Sequence, residues 1–147
     1  LKATEHAYAE SNDCLIEEFV EGMELAVGVC ELDGKVVPFL PTEVIPSGDF
    51  FDFDSKYQVG GATEITPARL PEAKIKECQQ LAAWIYKLIG CHGIVRVDFI
   101  LRNDVFNFLE INTIPGQTSM SIIPHQIQFL GMDIKDLYTN LILEALS

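Results

Sequence analysis

The strongest pattern in the chain is Gly93-Ile-Val-Arg-Val-Asp-Phe-Ile-Leu-Arg102, then Asn103-Asp104, then Val105-Phe-Asn-Phe-Leu-Glu-Ile-Asn112. Apolar residues in alternation, bounded by Gly and by Asn and Asp, predict two β-strands over residues 94–101 and 105–111. We expect residues 103–105 to form a three-residue loop, with Arg102 opposite Phe106. The segment is therefore predicted to be an antiparallel β-hairpin.

This register brings four polar side chains to one face of the hairpin. Asp98 faces Glu110, and Arg96 faces Asn112. Because side chains alternate between the two faces along a strand, all four point the same way. The hairpin is thus expected to have one polar face and one apolar face.

The two facing carboxylates suggest a cation site. Like charges directly opposite each other destabilise a sheet unless a cation lies between them. Two carboxylates and an amide oxygen suit Mg²⁺, which is often bound by one or two carboxylates together with phosphate oxygens. Spacing alone leaves two alternatives open, namely an ordinary solvated acidic face and a slipped register that separates the carboxylates.

A helix is predicted over residues 71–90. Its apolar residues recur at helical spacing, Pro71 suits the first turn, and Gly90 suits the C-terminal cap. The apolar face of the hairpin is expected to pack on this helix through Val95, Val97, Phe99, Leu101, Leu109 and Ile111.

The remaining segments complete an α+β domain. Residues 1–10 are predicted to end a helix, and 14–20, 23–30 and 36–45 to be strands, with Asp33-Gly34 as a hairpin turn. Residues 47–66 lack periodicity and are expected to form a flexible loop. A short helix near 121–124 and a last one from about 133 to 146 follow. We predict one domain over residues 1–147, an antiparallel sheet with helices packed on one side.

Composition narrows the expected partners. The chain has 22 acidic and 10 basic residues and a net charge of −12. Such a surface repels phosphate backbones, so we expect neither nucleic acid nor a membrane as a partner. A nucleotide remains compatible, because a divalent metal can join an acidic site to a triphosphate. No apolar run approaches the ~20 residues that span a bilayer.

The cysteines point to a reducing compartment. Cys14, Cys30, Cys78 and Cys91 show no metal-ligand spacing. We therefore interpret them as buried free thiols and expect a cytoplasmic location. The chain begins with Leu1 and shows no leader, so we expect it to be a piece of a longer protein.

Three segments, in order, resemble motifs of the D-alanine–D-alanine ligase family of ATP-grasp enzymes. Residues 15–24, Leu-Ile-Glu-Glu-Phe-Val-Glu-Gly-Met-Glu, resemble the linker strand that holds adenine. Residues 51–57, Phe-Asp-Phe-Asp-Ser-Lys-Tyr, resemble an aromatic-Asp-aromatic-x-x-Lys-Tyr loop. Asp98, followed by Glu-Ile-Asn-Thr-Ile-Pro-Gly-Gln-Thr-Ser-Met-Ser over residues 110–121, resembles the metal hairpin and the substrate loop. The resemblance covers almost the whole chain from about residue 12 and implies an ATP-grasp C-terminal domain.

The resemblance implies metal and nucleotide ligands. Asp98, Glu110 and Asn112 would bind two Mg²⁺ ions, with Mn²⁺ as an alternative, that bridge the phosphates of ATP. The adenine would meet the backbone at Glu17, Glu18 and Val20. Glu24 would bond the ribose hydroxyls, and Lys56 would contact the γ-phosphate.

It also implies catalytic roles. Arg96 would stabilise the acyl phosphate and the tetrahedral intermediate. Gly116 and Ser121, with the adjoining helix N-terminus, would position the carboxylate of the second amino acid, as an anion suits free N–H groups and the helix dipole. In this family a tyrosine at the place of Tyr57 goes with an amine nucleophile and dipeptide formation.

The implied activity is ATP- and Mg-dependent formation of D-alanyl-D-alanine for peptidoglycan precursors, through an acyl phosphate. A complete ligase of this family is about twice as long, with N-terminal and central domains that this chain lacks, and the resemblance implies a homodimer. We expect the fragment alone to be inactive. The alternatives are another ATP-grasp carboxylate–amine ligase and a non-catalytic nucleotide-binding domain.

Two residues depart from the family pattern. Glu18 stands where a lysine is common, and Met120 stands where a histidine often lies. The first is compatible with a backbone contact to the base, whereas the second puts the histidine's contact in doubt.

Overall fold

The chain folds around an antiparallel sheet. The computed structural model describes residues 2–46 and 62–146, without the side chain of Lys2. Its helices are α1 (Lys2–Glu10), α2 (Glu72–Ile89), α3 (Ile122–Phe129) and α4 (Ile134–Ala145). Its strands are β1 (Met23–Leu32), β2 (Lys35–Pro38), β3 (Thr42–Pro46), β4 (Ala62–Ile65), β5 (Ile94–Arg102) and β6 (Val105–Asn112). Within those described ranges no helix is long and apolar enough to cross a membrane.

Strand β1 is the centre of the sheet. The strand order is β4-β3-β1-β5-β6, and β2 pairs with β1 beside β3. One edge of β1 pairs with β5 along most of its length, while the other edge pairs first with β3 and then with β2. The β1–β2 hairpin turns at Asp33 and Gly34, both with positive φ, which confirms the predicted turn.

The structure corrects three strand predictions. Residues 14–20 form no strand, and five of the seven are exposed, so they bury no apolar face against the sheet. The single strand expected over residues 36–45 is two strands, β2 and β3, since the chain leaves β1 between them. Residues 62–65, expected within a flexible loop, pair with β3 as strand β4. The rest of that expected loop, residues 47–61, lies outside the described residues.

Helix α2 occupies the predicted position. Pro71 lies at its N-cap, and Gly90 ends it in the left-handed conformation, with φ of 72°, where its N–H donates to the carbonyl of Lys87. The buried residues of this helix pack on β1 and β5. The core between them contains Leu25, Val27, Val29, Cys78, Ala82, Ile85, Tyr86, Val95, Val97 and Phe99.

Helices cover both faces of the sheet. A second buried cluster lies on the face opposite α2 and consists of Cys30, Phe39, Ile123, Ile127 and Leu137. It packs α3 and α4 against one end of β1. The α+β class and the antiparallel sheet are confirmed, and the helices lie on two sides because alternate residues of β1 are apolar on both faces. The other end of that second face stays open and carries polar groups.

Two of the four thiols are buried as expected. Burial raises the pKa of Cys30 and of Cys78 to about 12, so both remain protonated core residues. Cys14 and Cys91 are only half-buried. All four are free thiols, in agreement with the absence of metal-ligand spacing.

Candidate functional site

The predicted polar face of the β5–β6 hairpin lies on the side of the sheet opposite α2, at the end that α3 and α4 leave uncovered. In the β5–β6 ladder, Asp98 lies opposite Glu110 and Arg96 lies opposite Asn112. These are the pairs expected from the sequence. The slipped register that would have separated the carboxylates does not occur.

The turn that sets this register differs from the predicted one. Asn103 and Asp104 both have positive φ, 50° and 65°, and form a two-residue turn with Arg102 opposite Val105. From the turn back to Phe99, each residue of β5 therefore pairs one residue earlier on β6 than predicted. Phe99, for example, lies opposite Phe108. A bulge at Leu109 then restores the predicted pairs.

The bulge also changes which side chains reach the core. Leu109, predicted to pack on the helix, has no partner in the ladder and is 45% exposed. Phe106 packs against the core instead. Phe106 and Phe108 meet the Phe99 ring edge-on, with centroids 6.0 and 6.4 Å away, and Phe108 is itself 49% exposed. Val95, Val97 and Phe99 are buried as predicted, and Leu101 and Ile111 pack at the border of the core.

Arg96 and Asp98 form a paired unit within the polar face. Arg96 Nε donates to both carboxylate oxygens of Asp98, at 2.8 and 3.2 Å, and Nη2 donates to Oδ2 at 2.7 Å. Hydrogen bonding to Asp98 raises the pKa of Arg96, burial opposes this, and the charges of Glu110 and Glu24 reinforce it. A guanidinium has five N–H donors, so this pair leaves donors on Nη1 for a further anion.

Glu24 joins this face from the neighbouring strand. It lies on β1 opposite Ile100, and the adjacent β1 residue on the same face, Ala26, lies opposite Asp98. The charges of Glu24, Asp98 and Glu110 therefore all act on the Arg96 guanidinium.

The oxygen donors fit Mg²⁺ that shares its coordination with phosphate. Within residues 2–46 and 62–146, no three side chains of His, Cys, Asp or Glu are grouped closely enough to hold a metal by themselves. Asp98, Glu110 and the Asn112 amide oxygen are the residues of this face that could hold Mg²⁺ together with substrate phosphates. Asn112 Oδ1 accepts from the Ile114 N–H at 3.0 Å and keeps a second lone pair.

The loop after β6 leads to the N-terminus of α3. Thr118 donates its backbone N–H to Ser121 Oγ at 3.1 Å, and the two hydroxyls are 2.9 Å apart. A Cβ at Gly116 would lie 2.9 Å from Ser121 Oγ, so this close approach favours glycine. The loop is therefore folded around the Ser121 side chain.

Ser121 lies at the N-cap of α3 without capping the helix through its side chain. Its hydroxyl is used within the loop instead. The N–H groups of Ile122 and Ile123 have no intrahelical acceptor, because the first turn of any helix lacks one. These donors and the helix dipole suit a carboxylate at this position.

Three anchors of this region were not predicted from the sequence. Tyr138 on α4 donates its hydroxyl to Gln117 Oε1 at 2.7 Å, and burial raises the pKa of Tyr138. His125 lies 3.0 Å from the Ser119 carbonyl oxygen. Gln126 is fully buried and bonds β1. The available signal was the polar pair His125-Gln126 beside the apolar residues of α3, and the β1 partners of Gln126 are remote in sequence.

Gln126 fills a gap in the pairing of β1. Its side chain accepts from the Gly28 N–H at 2.9 Å and donates to the Ala26 carbonyl and to Thr42 Oγ1, both at 2.9 Å. The Gly28 N–H lies between the β3 pairing, which ends at Ala26, and the β2 pairing, which begins at Val29. A Cβ on Gly28 would lie 2.7 Å from Gln126 Oε1. Gln126 therefore attaches α3, and with it the loop, to the strand that carries Glu24.

The predicted nucleotide segment precedes β1. Glu17, Glu18 and Val20 lie in a stretch without regular structure, and Glu18 is 3.6 Å from the Arg102 guanidinium at the surface. Leu15, Ile16 and Phe19 in the same stretch are about four-fifths exposed, at 82%, 79% and 79%. Lys56 and Tyr57 lie outside the described residues.

The chain matches one protein family along nearly its whole length. The family model described as D-ala D-ala ligase C-terminus matches residues 1–143. A D-alanine–D-alanine ligase of Phocaeicola vulgatus is 43% identical over 141 residues, which cover 95% of this chain and 43% of the relative. One from Leptospira interrogans is 40% identical over 139 residues, 92% of this chain and 40% of the relative. The chain thus spans less than half the length of these curated relatives.

Solved structures show the same likeness. The D-alanyl-alanine synthetase A of Vibrio cholerae has a TM-score of 0.81 and 27% identity, covering 97% of this chain and 44% of that one. The VanG D-Ala:D-Ser ligase of Enterococcus faecalis has a TM-score of 0.73 and 32% identity, covering 85% of this chain and 36% of that one.

Proposed function

Because this chain belongs to the D-ala D-ala ligase C-terminus family, we propose that the protein containing it is an ATP-dependent D-alanine–D-alanine ligase. It would make D-alanyl-D-alanine for peptidoglycan precursors. The chain would supply one half of the ATP cleft and the site of the second amino acid. The missing N-terminal and central domains would supply the other half.

One observation carries this proposal. Asp98 and Glu110 are opposed across a sheet face that also holds Arg96 and Asn112, and the same strand β6 leads into the loop that ends at α3. Metal ligands for phosphate and donors for a carboxylate are therefore adjacent along the chain. A ligase needs both next to each other, because the phosphate and the amine meet at one carbonyl carbon.

Asp98, Glu110 and Asn112 would hold Mg²⁺, two ions in this proposal, with Mn²⁺ as a substitute. When bound, Mg²⁺ neutralises charge on the transferred phosphoryl group. Glu24 would bond the ribose, and Lys56 would contact the γ-phosphate. The backbone at Glu17, Glu18 and Val20 would meet the adenine, and the exposed apolar residues of that segment would be covered by the base and the central domain.

The chemistry would have two steps. The carboxylate of the first D-alanine attacks the γ-phosphorus of ATP, ADP leaves, and an acyl phosphate forms. The amine of the second D-alanine then attacks the acyl carbon, loses a proton and expels inorganic phosphate. The protein contributes orientation and charge stabilisation to both steps.

Arg96 would act on the charge that develops in these steps. Its Nε and one Nη2 donor are held by Asp98, which fixes the plane of the guanidinium. The donors on Nη1 would then meet the acyl phosphate and the tetrahedral oxyanion. Gly116, Ser121 and the N–H groups of α3 would hold the carboxylate of the second D-alanine. Tyr57 would favour an amine over a hydroxyl nucleophile.

A second candidate is a ligase that uses another amine or hydroxyl acceptor. The likeness to the VanG D-Ala:D-Ser ligase favours D-serine as the acceptor to compare.

We place the full-length protein in the cytoplasm, where ATP is available and the free thiols stay reduced. We also propose a homodimer.

The test is phosphate release from ATP by the full-length protein with D-alanine, with the dipeptide identified by mass. We expect release that requires both D-alanine and Mg²⁺. Phosphate release that requires D-serine in addition to D-alanine would support the second candidate. No release with any acid–amine pair, together with nucleotide binding, would favour a non-catalytic nucleotide-binding domain.

A further inference from the structure

We propose that His125 is a positioning residue for the loop that receives the second amino acid, and that Glu64 orients its ring. His125 Nε2 lies 3.0 Å from the Ser119 carbonyl oxygen, and Nδ1 lies 3.4 Å from Glu64 Oε2. The inference rests on the function proposed above, because it assigns the loop of residues 116–121 to the second substrate.

Helix geometry brings the His125 ring to this loop. The Cα–Cβ bonds of a helix tilt toward its N-terminus, so a side chain covers the turn that precedes its own Cα. His125 lies in the first turn of α3, and the preceding turn is therefore the loop itself. The ring thus reaches Ser119 without any distortion of the helix.

Both ring nitrogens face acceptors. Ser119 offers a carbonyl oxygen and Glu64 a carboxylate, neither of which can donate. A neutral imidazole donates through one nitrogen only, whereas the imidazolium donates through both. Each ring nitrogen of His125 therefore has an acceptor oxygen within 3.4 Å.

The bridge ties the loop to the sheet. The Thr118–Ser121 bonds are local to the loop, and the Tyr138–Gln117 bond ties it to α4. Glu64 belongs to β4, which pairs with β3 of the central sheet. Through His125, the Ser119 backbone is thereby fixed relative to the sheet that carries the polar hairpin face.

Register places Glu64 on that same face. Glu64 lies opposite Val44, Val44 lies opposite Glu24, and Glu24 lies opposite Ile100 on β5. Glu64 is therefore in the same row of the sheet as Glu24, the proposed ribose ligand. A loop that is oriented by Glu64 is positioned relative to the nucleotide site, and this favours a role in substrate alignment.

The experiment uses the full-length protein and the variant His125→Ala. Initial rates over a range of D-alanine concentrations, at saturating ATP, give a KM for each of the two D-alanine sites. We expect the KM of the second site to rise about tenfold, which corresponds to the loss of one hydrogen bond. The kcat and the KM for ATP should be unchanged, since His125 contacts neither reacting group. His92→Ala, at an exposed histidine between α2 and β5, is the matched control.

Two further variants separate positioning from folding. His125→Gln keeps a donor for the Ser119 carbonyl and should recover part of the affinity. In a Glu64→Gln background, His125→Ala should have a smaller effect than in the wild type, because the two residues act together. An unchanged second-site KM in His125→Ala, or equal effects in both backgrounds, would overturn the inference. A wild-type protein without D-alanine-dependent phosphate release would instead overturn the proposed function.

Discussion

Asp98 lies directly opposite Glu110 because two irregularities of the β5–β6 hairpin compensate each other. The two-residue turn at Asn103 and Asp104 is one residue shorter than the loop predicted from the sequence. The bulge at Leu109 adds that residue back on the strand that carries Glu110. The bulge therefore determines that both carboxylates share a face.

Replacing Glu110 with glutamine tests the charge of this pair. Glu110 is exposed and contributes little to packing, so the midpoint of thermal unfolding should stay near the wild-type value. The rate of phosphate release by the full-length protein should fall at least ~100-fold. Mutation of a residue that only hydrogen-bonds a metal ligand already lowers metal affinity or activity ~10–100-fold, and Glu110 would be a ligand itself. Glu72→Gln, at an exposed glutamate of α2, should leave phosphate release unchanged. Full activity in Glu110→Gln would refute its role as a ligand.

The turn can be tested by comparing Asp104→Gly with Asp104→Ala. Both variants lose the contact of 3.1 Å between the Asp104 carboxylate and Lys74 Nζ. Only glycine relieves the positive φ of 65° at this position. Glycine should therefore give a free energy of unfolding about 1 kcal/mol higher than alanine does. Equal urea midpoints for the two variants would show that the turn is not left-handed at Asp104.

Gln126→Leu tests the attachment of α3 to β1. The variant keeps the side-chain volume but leaves the Gly28 N–H and the Ala26 carbonyl without their partner. The free energy of unfolding should fall by about 2–4 kcal/mol, since a buried unsatisfied group costs ~1–3 kcal/mol. Gln128→Leu, two residues along the same helix and exposed, is the control and should change the urea midpoint little.

The ion pair of Glu43 and Arg69 makes stability depend on pH. Arg69 donates from Nε at 2.8 Å and from Nη2 at 2.6 Å to the buried Glu43 carboxylate, which lowers the pKa of Glu43 against the effect of burial. A carboxyl with a lowered folded pKa stabilises the fold above its unfolded pKa of ~4.3, and this contribution is lost as the pH falls through the folded value. Glu43→Gln should therefore be less stable than the wild type at pH 7.

The difference in the free energy of unfolding between Glu43→Gln and the wild type should become smaller as the pH is lowered below about 4.3. Urea midpoints measured between neutral and acidic pH provide the comparison. Glu72→Gln, which removes an exposed carboxyl without such a partner, should show no comparable narrowing. A difference for Glu43→Gln that stays constant with pH would contradict the linkage.

The chain of 147 residues should be inactive when it is expressed alone. Each missing phosphate contact is a charge-assisted hydrogen bond worth ~1.5–3 kcal/mol, and ~1.4 kcal/mol is tenfold in affinity. The loss of several contacts should weaken Mg-ATP binding by orders of magnitude. Phosphate release with D-alanine, compared between the chain and the full-length protein, measures this. Turnover by the chain near the full-length rate would show that the chain holds a complete active site by itself and that the proposed division of the cleft is wrong.

Much of the secondary structure could be predicted from local sequence patterns. Alternation identified β5 and β6, helical periodicity with Gly90 identified α2, and Asp33-Gly34 identified the first hairpin turn. Each of these signals depends on residues that are neighbours along the chain, because strand and helix periods are properties of the local backbone. The polar face of Arg96 and Asp98 follows from the same alternation.

Only the tertiary structure decided the rest. The division of residues 36–45 into β2 and β3 depends on where each of them pairs with β1, and β4 is a strand because it pairs with β3. Residues 14–20 form no strand although their local pattern predicts one. Gln126 meets partners about one hundred positions earlier in the chain, and His125 meets Glu64 on a strand that the sequence does not reveal. Hydrogen bonds between remote groups form because folding removes water from both, and no local period encodes them.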